Sequence, residues 1–177
     1  GEFPRIVVCP GDLQEAYELT KEVFYLTGKY RTPGIILTDK HLAESWYTTE
    51  KIAYVSFPEI KLKKVLGKDL IKTNSYEHDE LGNTIESAIE VEKAMNRRLE
   101  KWKELRKEVA NKKTYEIFGK GKKILIGTGS VKGAVLDALN DLKDYTYLHI
   151  RYLEPFADIS NLIKGKEVYV IENNSIG

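Results

Sequence analysis

Pro4-Arg5-Ile6-Val7-Val8-Cys9-Pro10-Gly11-Asp12-Leu13-Gln14-Glu15 opens the stretch that decides the fold, and Pro33-Gly34-Ile35-Ile36-Leu37-Thr38 closes it. Ile6–Cys9 is a short apolar run, rich in β-branched residues and stopped by Pro10-Gly11. An unbroken run of this length suits a strand covered on both faces, as in a parallel sheet. Asp12 then caps a helix, with Glu15 three residues on as its capping-box partner. The apolar spacing carries the helix to about Thr27, burying Leu13, Ala16, Tyr17, Leu19 or Thr20, Val23, Phe24 and Leu26 or Thr27, and Gly28 ends it. The second strand is Ile35–Thr38. Strand, helix and strand within about 35 residues make a βαβ unit with a right-handed crossover.

Working outward, a second pattern of the same kind lies in the last third of the chain. Ile124-Leu125-Ile126-Gly127-Thr128-Gly129-Ser130-Val131-Lys132-Gly133 reads as a strand, a glycine-rich turn and a helix start. The glycines stand at 127, 129 and 133. A dinucleotide fingerprint needs glycine where Lys132 stands, so the turn reads as structural, although its helix amides could still hold an anion. A helix to about Leu142 follows. Then come a strand at Tyr147–Ile150, a turn at Leu153–Phe156, a short helix at Ile159–Lys164 and a strand at Glu167–Ile171. His149 alternates with apolar neighbours and reads as a hydrogen-bonded sheet residue. Between the two units, Ile85, Ile89, Met95, Leu99, Trp102, Leu105 and Val109 form one apolar stripe on a charged helix from Thr84 to Ala110, capped by Asn83 with Glu86. The lysine-rich Asn111–Lys123 reads as a solvated linker. The expected fold is α/β, with two parallel-sheet α/β units joined by a long amphipathic helix.

Composition bounds the function. The 177 residues carry a net charge of +1 and are 42% hydrophobic and 31% charged, which fits a globular protein with a real core and gives no basic footprint for nucleic acid. No apolar run is long enough to span a membrane, and the first residues lack a secretory signal. The single cysteine, Cys9, excludes an internal disulfide framework, suits a reducing cytoplasm and reads as buried filler. Scarce Cys and Met beside plentiful Lys, Glu and Tyr hint at a heat-adapted source. The chain begins and ends against strands, which suggests a piece of a longer polypeptide.

The candidate site is the polar stretch Thr73–Thr84, TNSYEHDELGNT, which has neither helical nor strand periodicity. Glu77, His78, Asp79 and Glu80 place three carboxylates and an imidazole in consecutive positions. In extended chain, Glu77 with Asp79, or His78 with Glu80, share a side. Such a loop suits the positioning of a polar substrate or a neighbouring cation. It lacks the second His or Cys cluster that a metal site requires. Asp39, at the carboxyl end of the second strand, is a further candidate for a site, an interface or a cap. The irregular Leu42–Lys72 stretch, with Trp46-Tyr47 and Phe57-Pro58, is long enough to cover a neighbouring surface.

Seven segments, GEFPRIVVCPGDLQEAYELT (1–20), TPGIILTDKHLAES (32–45), NSYEHDELGNT (74–84), MNRRLEKW (95–102), GTGSVKGAV (127–135), LEPF (153–156) and VIENNSIG (170–177), resemble the α subunit of 2-oxoacid:ferredoxin oxidoreductases and fall in that family's order. The resemblance implies that residues 1–50 are the C-terminal part of a thiamine pyrimidine-binding-type α/β domain. Residues 51–114 become a connector with an active-site-facing loop and the long helix, and 115–177 a transketolase C-terminal-like α/β domain. It implies thiamine-dependent oxidative decarboxylation of a 2-oxoacid such as pyruvate or 2-oxoglutarate, with coenzyme A as acyl acceptor and ferredoxin as electron acceptor. Thiamine diphosphate, magnesium and a [4Fe-4S] cluster would belong to the assembled enzyme and none to this stretch. The partners implied are a β subunit and a γ domain. Glu77, His78 and Asp79 would lie near the substrate, with Asp79 as an orienting acceptor and His78 as a polar contact, and no residue here would be catalytic. The family's activating glutamate would lie upstream of Gly1. The alternative is a non-catalytic assembly domain of a transketolase-like or pyruvate dehydrogenase β-type complex.

Overall fold

The computed structural model describes residues 3–61, 67–72 and 74–174. Gly1 and Glu2 of the first quoted segment, Thr73 of the loop and Ser175–Gly177 of the last segment lie outside the described residues. The fold is mixed α/β with two sheets. The first has the order β2-β1-β6, from β1 (Ile6–Val8), β2 (Gly34–Ile36) and β6 (Tyr152–Glu154). The second has the order β3-β5-β4-β7, from β3 (Tyr115–Gly119), β4 (Lys123–Thr128), β5 (Tyr145–Ile150) and β7 (Val168–Ile171). The helices are α1 (Leu13–Tyr30), α2 (Lys40–Glu44), α3 (Ala88–Val109), α4 (Val131–Ala138) and α5 (Ser160–Ile163).

β1 and β2 pair in parallel, as do β4 with β5 and β4 with β7. Each sheet also carries an antiparallel edge strand that the hydropathy pattern hides. β3 pairs with β5 from Tyr115↔Ile150 to Gly119↔Thr146, where the lysine-rich break had the look of a linker. Its side chains are only partly covered, so no clean alternation marks it. β6 takes in Leu153 and Glu154 of the expected Leu153–Phe156 turn and pairs with β1 of the first sheet. The last third of the sequence thus supplies a strand to the sheet built by the first forty residues.

α1 starts where the capping reading places it, with the Asp12 side chain accepting from the Glu15 amide at 2.8 Å. It runs past Gly28 to Tyr30 and ends on Arg31 in the left-handed region (φ 47°). Gly28 does not terminate the helix, and a Cβ there would meet Ile60 at 3.5 Å, an ordinary van der Waals contact, so nothing in the packing demands glycine. The buried face is Glu15, Leu19, Val23 and Leu26. Phe24 is 74% exposed, because it stands about 100° round the helix from Val23. Ile6, Val8, Leu19, Leu26, Leu105 and Tyr152 form the heart of the first core, with Trp102 packed against it. The second sheet is covered on one side by Ile159 and its neighbours and on the other by Val135.

α3 is shorter than the 84–110 expectation and is preceded by Ser87, not capped by Asn83. Asn83 is committed elsewhere, as described below. Only Ala94, Leu105 and Val109 of α3 are buried, and Ile89 and Leu99 are exposed. The connector after α2 lies along α1 as a strap. The Gln14 carboxamide donates to the Ala53 carbonyl at 3.1 Å and accepts from the Ala53 amide at 2.8 Å. Lys21 donates to the Val55 carbonyl, and Tyr25 stacks on Phe57 with ring centroids 5.4 Å apart. A segment without periodicity is therefore held by side chains of α1 that satisfy its backbone. Trp46 is fully exposed.

Candidate functional site

The loop 74–84 folds on itself around Asp79. One carboxylate oxygen accepts from the amides of Leu81 (2.9 Å) and Asn83 (2.8 Å), and the other accepts from the Asn83 side chain (3.1 Å). The Asp79 amide donates to the Asn83 carbonyl, and Gly82 (φ 80°) donates back to the Asp79 carbonyl. A Cβ at Gly82 would lie 2.5 Å from the Lys72 carbonyl oxygen, so glycine is required there on both counts. These donors, led by the Asn83 amide, hold the Asp79 carboxyl below its ordinary range. Asn74 clamps the neck, donating to the Gly82 carbonyl and the Thr84 hydroxyl, each at 3.2 Å.

Glu77 ties this loop to the protein body through an ion pair with Arg98 of α3. His78 and Thr84 form an isolated antiparallel bridge, and the His78 ring lies 3.2 Å from the Tyr76 carbonyl. The three sequence-predicted residues thus take three positions. Asp79 organises the loop, Glu77 anchors it, and His78 sets its Nδ1 against the Tyr76 carbonyl. Among the described residues, no group of three His, Cys, Asp or Glu side chains converges as a metal site.

A second polar constellation lies where the carboxyl edges of the two sheets meet. Glu15 is 3% exposed, yet its carboxylate bonds to three groups and pairs with a fourth. It accepts from the Gly11 amide (2.7 Å), the Lys132 ammonium (2.6 Å) and His149 Nε2 (2.9 Å), and Arg151 Nε approaches to 3.6 Å. Lys132 reaches Asp12 as well, at 2.5 Å. Tyr147 Oη lies 3.0 Å from His149 Nδ1. A neutral imidazole satisfies this geometry, with Nε2–H donating to Glu15 and Nδ1 accepting the tyrosine proton. Burial alone would raise the Glu15 pKa. The hydrogen bonds from His149, Lys132 and Gly11 outweigh it and hold the carboxyl at about 2. A Cβ on Gly11 would sit 2.7 Å from the His149 ring, so this glycine makes room for the network.

Asp39 bridges the same edges. Its Oδ1 accepts from the Leu42 amide at 2.9 Å and caps α2, and its Oδ2 accepts from the Ser130 amide at 3.1 Å, at the turn into α4. The anion-binding position of the glycine-rich turn is thus filled by a carboxylate of the chain itself. Burial would raise the Asp39 pKa, but the hydrogen bonds from Ser130 and Leu42 hold it low. Cys9 is buried beneath this point, and burial pushes its thiol above the ordinary range. His149 is the hydrogen-bonded sheet residue its strand pattern suggests. Sequence reasoning missed the joint because its members stand more than a hundred positions apart. The one available signal was Lys132 in an otherwise small and apolar helix start.

Two α/β layers are thus fastened edge to edge, with an ordered polar loop tied to a long helix. Residues 2–111 match the family described as pyruvate flavodoxin/ferredoxin oxidoreductase, thiamine diP-bdg, and the chain belongs to that family. The α subunit of 2-oxoacid:ferredoxin oxidoreductase from Saccharolobus solfataricus is 30% identical over 211 aligned positions, which take in 100% of this chain and 33% of the relative. The α subunit of 2-oxoacid:ferredoxin oxidoreductase 1 from Sulfurisphaera tokodaii is 28% identical, over 98% of this chain and 32% of its own length. The chain therefore spans about a third of the curated relatives it matches. In fold it is similar to 2-oxoglutarate:ferredoxin oxidoreductase from Magnetococcus marinus, solved with 2-oxoglutarate, coenzyme A and succinyl-CoA. The TM-score is 0.73 at 23% identity, over 100% of this chain and 36% of that one.

Proposed function

We propose that this chain is a section of the α subunit of a 2-oxoacid:ferredoxin oxidoreductase. That enzyme converts a 2-oxoacid and coenzyme A to acyl-CoA and carbon dioxide and passes two electrons to ferredoxin. The observation that carries the reading is the extent of the matches. They run over the whole chain and concern α subunits of one enzyme class, and the family match ends at Asn111, next to the C-terminus of α3. In this reading residues 1–50 belong to the pyrimidine-binding-type domain, 51–114 to the connector and 115–177 to the transketolase C-terminal-like domain. The enzyme is cytoplasmic and works with a β subunit and a γ domain. No described helix is long and apolar enough to cross a membrane.

Thiamine diphosphate would supply the carbanion chemistry, with magnesium on its diphosphate and an iron–sulfur cluster taking the electrons. Neither the glycine-rich turn nor the cysteine content of this stretch fits these groups. The glycine-rich turn already holds the Asp39 carboxylate, and one cysteine is too few for a four-thiolate cluster. No step of the reaction is therefore assigned to this chain. Its part is to shape a wall: the Asp79-centred loop presents His78 as a polar contact, with Glu77 fixing the loop through Arg98.

The test uses the complete complex, with assembly and cluster content checked first. His78→Ala and Asp79→Asn are each expected to lower turnover with 2-oxoacid and coenzyme A roughly tenfold to a hundredfold, the effect of losing one charged hydrogen bond in the transition state. If turnover and both Michaelis constants stay within about twofold of wild type, the loop is a connector only. If a complex containing this chain forms but reduces no ferredoxin with any 2-oxoacid, the assembly-domain alternative is the correct one.

A further inference from the structure

The C-terminus of α1, the middle of α3 and the Glu77 end of the loop enclose a groove of about 570 Å³. Five of its nine lining residues are cationic and two are carboxylates. Two of the cations are neutralised: Arg98 by Glu77, and Lys29 by Glu108 at 2.6 Å. The other three, Arg31, Arg97 and Lys101, have no carboxylate within ion-pair distance among the described residues. Arg97 and Lys101 stand one turn apart on α3 and share a face. Lys101 is half-buried and reaches across the groove to donate to the Arg31 carbonyl at 3.2 Å. That bond brings its ammonium beside the guanidinium groups of Arg31 and Arg98. Burial and these two like charges lower its pKa. Arg31 occupies a left-handed position where glycine is the residue without penalty. A cation at the end of α1 suits the helix dipole, but that accounts for one charge and not for two more brought from another helix.

Glu104, the second carboxylate of the lining, pairs with none of the three, and crowded cations outnumbering it in a concave site of small-ligand size are arranged for an anion that the chain does not supply. We propose that this groove binds a diphosphate-bearing anion, with Arg31, Arg97 and Lys101 as its charge-paired ligands. The two arginines offer planar donor forks matched to phosphate oxygens, and Lys101 offers a point charge between them. A diphosphate carries more than one negative charge to set against the three cations, which a single carboxylate does not. The concave shape and the recessed Lys101 favour a small ligand over the face of an acidic protein.

The experiment titrates inorganic pyrophosphate, and separately ADP, into the natural full-length protein with the subunits that co-purify with it. The readout is calorimetry at low and high salt. Saturable binding is expected, weakening with added salt and at least tenfold in Arg97→Gln/Lys101→Met. Lys103→Met, which removes an exposed cation of α3 paired with Glu100 outside the groove, should leave the affinity unchanged. Glu77→Gln, which frees Arg98, should tighten binding and keeps the test decisive if the double variant folds poorly. Tighter binding of ADP than of pyrophosphate assigns the site to a nucleotide-borne diphosphate, and equal binding assigns it to the free anion. The proposal is overturned if pyrophosphate and ADP fail to saturate. It is also overturned if the double variant binds both as well as wild type.

Discussion

The loop around Asp79 and the joint around Glu15 are both dense in charge and make opposite use of it. In the loop, four titratable residues are consecutive in sequence, and the carboxylate at the centre bonds to its own backbone within four residues. At the joint, Asp12, Glu15, Lys132, His149 and Arg151 come from α1, α4, β5 and the residue after it, and the closest bonds join positions more than a hundred apart. The loop is visible in sequence because it is local, and it is exposed because its groups remain solvated. The joint is invisible in sequence and buried, and each of its charges exists there only because the others do. Charge density along a chain thus marks where a ligand can be met. Charge convergence across a fold marks where two halves are fastened.

Removing one partner from the joint should give the largest effect. Lys132→Met leaves Asp12 unpaired and Glu15 with only the longer 3.6 Å approach of Arg151 as cation, and a buried pair broken on one side costs about 3–5 kcal/mol. The check is the denaturant midpoint. A loss under about 1 kcal/mol would place the joint with the solvent-exposed pairs and end the contrast. Acid should produce a comparable change through Glu15 alone. Its folded pKa of about 2 lies below the ordinary 4.5. The stabilisation is therefore complete above about pH 4.5 and fades as the pH falls toward 2, to a total of about 3 kcal/mol. Urea unfolding between pH 6 and 3 should show this slope, and Glu15→Gln should flatten it.

Gly11→Ala should cost less, about 1–3 kcal/mol, by forcing the new methyl against the His149 ring and Lys132. Thermal unfolding measures it, and a neutral result would mean the network yields more easily than its distances indicate. The smallest global effect belongs to the loop. Asp79→Ala should leave the unfolding midpoint unchanged while amide exchange at Leu81 and Asn83 speeds up roughly tenfold, a purely local opening. A change in the midpoint would show that the loop is coupled to the body beyond the Glu77–Arg98 tie.

These contrasts explain what could be read in advance. β1, α1 and β2 were legible because Ile6–Val8, the Asp12 cap and the 19-23-26 spacing are local signals. β4, α4, β5 and β7 were legible for the same reason. β3 was not, since Lys112, Lys113, Lys120, Lys122 and Lys123 surround a strand of mixed exposure whose partner is thirty residues away. Nor was β6, three residues long and stabilised by a strand from the other end of the chain. The start of α3 was misplaced because Asn83 and Glu86 resemble a cap in sequence, and only the closed loop shows that Asn83 bonds to Asp79 and Lys72 instead. In the candidate site, the loop's existence was legible and its internal bonding was not. The cationic groove was hidden because Arg31, Arg97 and Lys101 are ordinary surface residues until α1 and α3 lie side by side.

The Asp39 carboxylate on the Ser130 amide has one more consequence. It is an internal ligand, tethered in place, and its local concentration is fixed by the fold rather than by the cell. An outside phosphate approaching the Gly127–Gly133 turn would compete with an occupant held at an effective concentration on the order of millimolar or above, and would have to expel it from α2 as well. A turn that looks vacant in sequence is self-inhibited in three dimensions. Asp39→Asn would weaken that inhibitor without removing its bulk, and Asp39→Gly would leave the turn open to solution anions for the first time.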